Sequence, residues 1–216
     1  MSTVGEISQY QFTNKWFAGV AKNVWDKLIP SINPTKILEV GSYEGASTCY
    51  LIDSLAPKND IEIHCIDSWE GGIEHKSRGM VETDMLEVEK RFLNNTHISL
   101  ARVEKSVDLQ IHKGYSDVEL AKLLVCGKQN YFDFIYVDGS HQAPDVLCDA
   151  LLSFRLLREG GVMAFDDYLW AENLSYGIDP IRCPKMAIDA FTNIYCRKIR
   201  VLSAPLYQLY IKKVAN

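Results

Sequence analysis

Two apolar runs that end in carboxylates constrain this chain more than any other feature. Phe132-Asp-Phe-Ile-Tyr-Val-Asp138 and Gly160-Gly-Val-Met-Ala-Phe-Asp-Asp167 are each of strand length and rich in aromatic or β-branched residues. Runs this apolar are expected as parallel strands covered on both faces, and in open α/β sheets the ligand site lies just outside the carboxyl ends of the strands. Asp138, Asp166 and Asp167 are therefore expected to gather at one rim.

Strand and helix patterns alternate along the rest of the chain. Residues 10–30 place Trp16, Phe17, Val20, Val24, Trp25 and Leu28 at three- and four-residue spacings, an amphipathic helix expected to close at Pro30. Such a stripe packs into a core, or covers a ligand site or a second subunit. Strands are expected at 36–41, 61–67, 97–103, 132–138 and 160–167. Intervening helices are expected near 83–94, from Ser116 (a capping box with Glu119) to about Cys126, and from Pro144 until Gly160-Gly161 stops it. Pro184 starts a last helix with Ala187, Ala190, Phe191 and Ile194 inward, and two strands, 198–202 and 206–212, close the pattern. The result is a doubly wound α/β sheet with an antiparallel terminal strand pair.

With 216 residues, 47% of them hydrophobic, the chain suits one compact domain, read as an N-terminal helical cover over 1–35 and a main body over 36–216. A net charge of −5 supplies no global attraction for nucleic acid, and no apolar run approaches the ~20 residues that span a bilayer. The first residues lack a basic segment followed by an apolar one, so a soluble cytoplasmic protein is expected. The six cysteines have no C-x-x-C spacing and read as buried free thiols.

Between the first strand and its helix lies Glu39-Val-Gly-Ser-Tyr-Glu-Gly45. Gly41 and Gly45 stand where backbone must turn tightly and approach a ligand, with Ser42 and Tyr43 between them. The spacing is not the dinucleotide fingerprint G-x-G-x-x-G, which weighs against a nicotinamide-dependent oxidoreductase. It is the E-x-G-x-x-x-G of class I S-adenosylmethionine (SAM)-dependent methyltransferases. Asp67 ends the second strand, where such folds hold the acid that accepts both ribose hydroxyls. Ser68 and Trp69 follow it. Trp69 and Tyr43 are candidates to stack on the adenine, and Ser106 to bond its edge.

Together with Val137-Asp-Gly-Ser-His141 and the 160–167 run, this motif makes residues 36–170 resemble the macrocin-type sugar O-methyltransferases and, more distantly, catechol O-methyltransferase. The resemblance implies a seven-stranded Rossmann-like sheet and one divalent cation held by Asp138, Asp166 and Asp167. The third acid is Asp, as in the sugar enzymes, where the catechol enzymes carry Asn. Residue 141 falls at the offset of the catechol enzymes' lysine base, which favours His141 as base. The sugar enzymes are described with an aspartate base, which favours Asp138. The sugar enzymes also imply a homodimer or larger assembly.

The chemistry agrees with the resemblance. Methyl transfer from a sulfonium is an in-line displacement, so the acceptor hydroxyl must arrive aligned and nearly deprotonated. Three carboxylates make the hard oxygen site that suits Mg²⁺, which lowers a bound hydroxyl's pKa. The expected acceptor is a small hydroxylated molecule of sugar or phenol type, contacted by the 68–81 loop, which is expected to be mobile, by the N-terminal helix, and by 168–179 with Tyr168, Trp170 and Tyr176. The alternatives are a SAM-binding module without transferase activity and a metal-independent methyltransferase.

Overall fold

The computed structural model describes residues 9–73 and 83–216. Positions 74–81 of the expected 68–81 loop, including His75 and Gly79, lie outside the described residues. The sheet is built from β1 (Lys36–Val40), β2 (Ile61–Asp67), β3 (Val107–Lys113), β4 (Phe132–Val137), β5 (Leu157–Phe165), β6 (Ile199–Leu202) and β7 (Leu209–Lys213). The helices are α1 (Trp16–Gly19), α2 (Ala21–Ile32), α3 (Ala46–Leu55), α4 (Met85–Leu100), α5 (Ser116–Val125), α6 (Ala143–Leu156) and α7 (Pro184–Ile194). The seven strands run in the order β3-β2-β1-β4-β5-β7-β6, as the Rossmann-like reading requires. The first five are parallel, and β7 inserts antiparallel to both β5 and β6.

Burial on both faces explains the unbroken apolar runs. In β4 the side chains of Phe132, Ile135 and Val137 join one core cluster with α5, α6 and α7, while Phe134 and Tyr136 join another with α2, α3 and α4. Trp25 of α2 is fully buried and meets the rings of Phe134 and Tyr136 edge-on, at centroid distances of 5.2 and 4.8 Å. Trp16, by contrast, is 55% exposed. Pro30 does not end α2, which runs on to Ile32 and is closed by Asn33 in the left-handed conformation (φ 43°).

The expected strand at 97–103 is wrong. Residues 97–100 are the last turn of α4, because Val88, Phe92, Asn95, Thr96 and Ser99 continue one buried helical face. Ser99 Oγ closes that face by donating to Asp53 at 2.6 Å. The third strand is β3, where Val107, Leu109 and Ile111 alternate with polar residues. Ser116 opens α5 as its first helical residue, and Tyr115 holds the cap position, so no capping box forms. Glu119 pairs with Lys122 at 2.7 Å instead. Gly160 and Gly161 lie inside β5, since α6 already stops at Leu156. A Cβ on Gly161 would meet the Asp133 carbonyl at 3.0 Å, where the β4–β5 register slips. In α7, Ile188 takes the inward place expected for Ile194, which is 75% exposed. All the cysteines are free; Cys49, Cys65 and Cys183 are buried, whereas Cys126 and Cys196 are exposed.

Candidate cofactor and cation site

The strand ends at the rim are locked into a row by bonds that continue the ladder past each strand. Gly41 N–H donates to the Ile66 carbonyl (2.8 Å), Asp138 N–H to that of Val40 (2.7 Å), and Asp166 N–H to that of Val137 (3.0 Å). Parallel pairing thus delivers the first-strand turn, the 138–141 loop and the acid doublet side by side.

The turn after β1 is shaped by two buried acids. Glu39, fully buried, accepts from the Ser42 hydroxyl at 2.7 Å, from the Thr48 hydroxyl, and from the Cys65 thiol at 3.6 Å. Burial raises its pKa above the usual carboxylate range, with the Ser47, Thr48 and Ser42 hydroxyls pulling against that rise. Glu39 therefore sits beneath the turn and ties it to α3. Glu44 accepts from Thr13 N–H at 2.7 Å and from Arg91 Nε at 2.6 Å, which fastens the N-terminal segment to the same turn.

Asp67 is drawn to this turn from β2. Its Oδ2 accepts from the backbone N–H groups of Ser42 and Tyr43, both at 2.9 Å, and its Oδ1 from that of Trp69 at 2.7 Å. Gly41 adopts φ +87°, and a Cβ there would lie 2.0 Å from the Asp138 carbonyl oxygen, so the turn and the 138–141 loop touch backbone to backbone. Gly45 (φ +80°) opens α3 against Phe92. The half-buried Ser68 hydroxyl accepts from Glu70 N–H at 3.2 Å.

Of the expected adenine contacts, Trp69 is largely buried beside Asp67 and Tyr43, and Ser106 stands elsewhere. Trp69 is 5% exposed, with its ring against Phe92 (5.0 Å) and its Nε1 donating to the Tyr43 carbonyl at 3.0 Å. Ser106 lies at the opposite end of the sheet, where its carbonyl accepts from Ile61 N–H at 3.0 Å, because it precedes β3 rather than following it. The residue that follows β3 is Gly114, whose N–H donates to the Asp67 carbonyl at 3.0 Å. The period-two run 107–113 is the sequence signal that points to it. Tyr43 remains at the rim, its ring 5.3 Å from that of Trp16.

Ligand atoms of Asp138, His141 and Asp167 all lie within 4.8 Å of one another. His141 Nε2 is 2.9 Å from Asp167 Oδ2, and its ring lies against Trp170. Asp167 itself adopts φ 53°, a left-handed backbone that turns its side chain toward the histidine. Asp166 stands beside this group, accepting the Tyr136 hydroxyl on one oxygen and Asp167 N–H (2.8 Å) on the other. Burial and then the Asp166 and Asp167 charges push the Asp138 pKa well above the carboxylate range, while burial and then Asp167 lift Asp166 to about 6. Acids crowded in this way repel one another, and a divalent cation among them would relieve that repulsion; the oxygen-rich donor set fits one.

A family model described as a methyltransferase domain matches residues 38–168. The chain belongs to that family. Over 166 residues this methyltransferase-domain chain is 25% identical to probable caffeoyl-CoA O-methyltransferase 3 of Dictyostelium discoideum, covering 76% of this chain and 55% of that protein. The chain thus spans about half the length of that curated relative. An O-methyltransferase of Bacillus cereus, solved in complex with SAH, superposes with a TM-score of 0.61 at 15% identity, over 96% of this chain and 84% of that one. The O-methyltransferase TomG of Streptomyces achromogenes, in complex with SAM, does so with 0.60 at 16% identity, over 91% and 80%. These structural likenesses establish a class I methyltransferase fold. Among the described residues no helix is long and apolar enough to cross a membrane.

Proposed function

We propose that the protein is a SAM-dependent O-methyltransferase that acts on a hydroxyl of a small molecule, with a divalent cation held by Asp138, Asp166 and Asp167. The observation that carries this reading is the contact between Gly41 and the Asp138 backbone, which sets the cofactor turn directly against the acidic cluster. A donor methyl group and an acceptor oxygen have to meet at such a boundary. The names of the relatives, all O-methyltransferases and two of them solved with SAH or SAM, point the same way.

When bound, SAM supplies an electrophilic methyl group, and a divalent cation lowers the pKa of a coordinated hydroxyl. The chain's own residues supply the rest. Asp67, held in place by the amides of Ser42 and Tyr43, is preorganised where the cofactor's ribose would lie. With Asp167 as a carboxylate, Nε2 is the donor of the His141–Asp167 contact, and His141 is the residue assigned to take the acceptor's proton. Trp170 holds the imidazole plane through the stacking contact. By its position beside His141, Trp170 also lines the side from which a sugar or phenol ring enters.

Calorimetry with SAH, followed by methyl transfer from labelled SAM to a panel of sugars and phenols with and without chelator, tests the reading. Micromolar SAH binding and chelator-sensitive transfer to a hydroxyl are expected. SAH binding without transfer to any acceptor would favour a non-catalytic SAM-binding module, and full activity in chelator would remove the cation.

A further inference from the structure

A buried chain of side chains runs behind the carboxylates, and the transfer chemistry does not use it. Trp25 Nε1 on α2 donates to Tyr210 Oη at 3.0 Å, and the Tyr210 hydroxyl donates to Gln208 Oε1. Gln208 Nε2 in turn donates to Tyr136 Oη at 3.5 Å, and the Tyr136 hydroxyl donates to Asp166 Oδ2. Trp25 is 0% exposed, Tyr136 and Tyr210 1% each, and Gln208 2%. An indole N–H can only donate and a carboxylate can only accept, so the bonds have one consistent direction from α2 to the rim.

The ring of Tyr136 lies in an apolar cluster with Trp25, Phe134 and Ala164, an environment that phenylalanine would satisfy. A hydroxyl there has to be bonded to offset its burial. Its bonded neighbours are Asp166 and Gln208, and the Asp138 carboxylate also lies close enough to interact with it. Asp166 is thereby held at both oxygens, since Asp167 N–H occupies Oδ1, while each oxygen keeps a second lone pair.

We infer that Tyr136 is a positioning residue for the cation site: its hydroxyl, backed by Gln208, Tyr210 and Trp25, aims Asp166 at the ion that Asp138 and Asp167 share. The inference rests on the cation reading above. It makes the packing of α2 on the sheet part of what shapes the acidic cluster, through groups that touch neither cofactor nor acceptor.

Mn²⁺ serves as the probe, followed by its electron paramagnetic resonance signal, with SAH calorimetry and thermal unfolding run in parallel. Tyr136→Phe keeps the ring and deletes the hydroxyl. Mn²⁺ affinity is expected to fall 10- to 100-fold, the range for losing a partner behind a metal ligand. SAH affinity is expected to stay within twofold. Gln208→Met, which leaves Tyr136 and Asp166 in place and removes the amide that supports both, is expected to weaken Mn²⁺ at least threefold, and it decides the matter if Tyr136→Phe does not fold. Parent-like Mn²⁺ affinity in a folded Tyr136→Phe protein, or in Gln208→Met where the first does not fold, overturns the inference and leaves the cation site standing. Equal losses of Mn²⁺ and SAH affinity overturn it as well, because they indicate a general loss of structure. A parent protein that binds no Mn²⁺ removes the cation reading and this inference together.

Discussion

The imidazole of His141 lies nearly flat on the indole of Trp170, with ring centroids 4.2 Å apart and planes 23° apart. With Asp167 at its Nε2, the ring is fixed in both tilt and direction, which is what proton transfer at a set point requires.

If His141 is the base, His141→Ala should lower kcat by ~10²-fold or more while SAM binding is retained. Steady-state kinetics beside SAH calorimetry measure both. A drop of less than threefold would make the histidine an orienting partner of Asp167 and return the base to Asp138.

Asp67 collects three backbone N–H groups and joins the ends of β1 and β2. Asp67→Ala should therefore weaken SAH binding tenfold or more, about 1.4 kcal/mol, both by releasing the turn and by removing an acceptor for the ribose. Titration calorimetry gives the number directly, and unchanged affinity would take Asp67 out of the cofactor site.

Asp149 of α6 is 1% exposed, and burial lifts its carboxyl to about 7; the Ser116 hydroxyl opposes the shift and the Asp145 and Asp117 charges add to it. A folded pKa above the unfolded value of ~3.9 means that stability is fully present below that value and is lost as pH rises through 7. Asp149→Asn should thus gain stability relative to the parent between pH 5 and 8, by roughly 2 to 3 kcal/mol, levelling off above the folded pKa. Denaturant melts at several pH values would refute this if the difference between the two proteins stayed constant.

Much of the rim was legible in the sequence because parallel strands buried on both faces leave few ways to read them. The runs that end at Asp138 and Asp166 contain hardly a polar residue, and Gly41 has no alternative where a Cβ would strike the Asp138 carbonyl. The third strand was harder. Residues 97–103 and 107–113 both alternate, and what separates them is whether Phe92 and Ser99 share a helical face, a tertiary fact. Ser106 was misplaced with that strand, and Gly114 was missed for the same reason.

Side-chain direction was also beyond the pattern. Trp69 follows Asp67 in sequence, yet its ring is drawn to Phe92 in the core. Trp170 shows no periodic signal, because it lies outside helix and strand, and only folding brings it over His141. Tyr136 read simply as one more aromatic in a strand; its hydroxyl gained a partner only when β4 was laid beside β5.

The insertion of β7 between β5 and β6 has a consequence for synthesis. Until residues 209–213 have left the ribosome, the apolar edge of β5 at Val162, Met163, Ala164 and Phe165 has no neighbour to pair with. A nascent chain would display that edge from its emergence until the end of synthesis, and it is the stretch where a chaperone, or a second unfinished copy, would find its first grip.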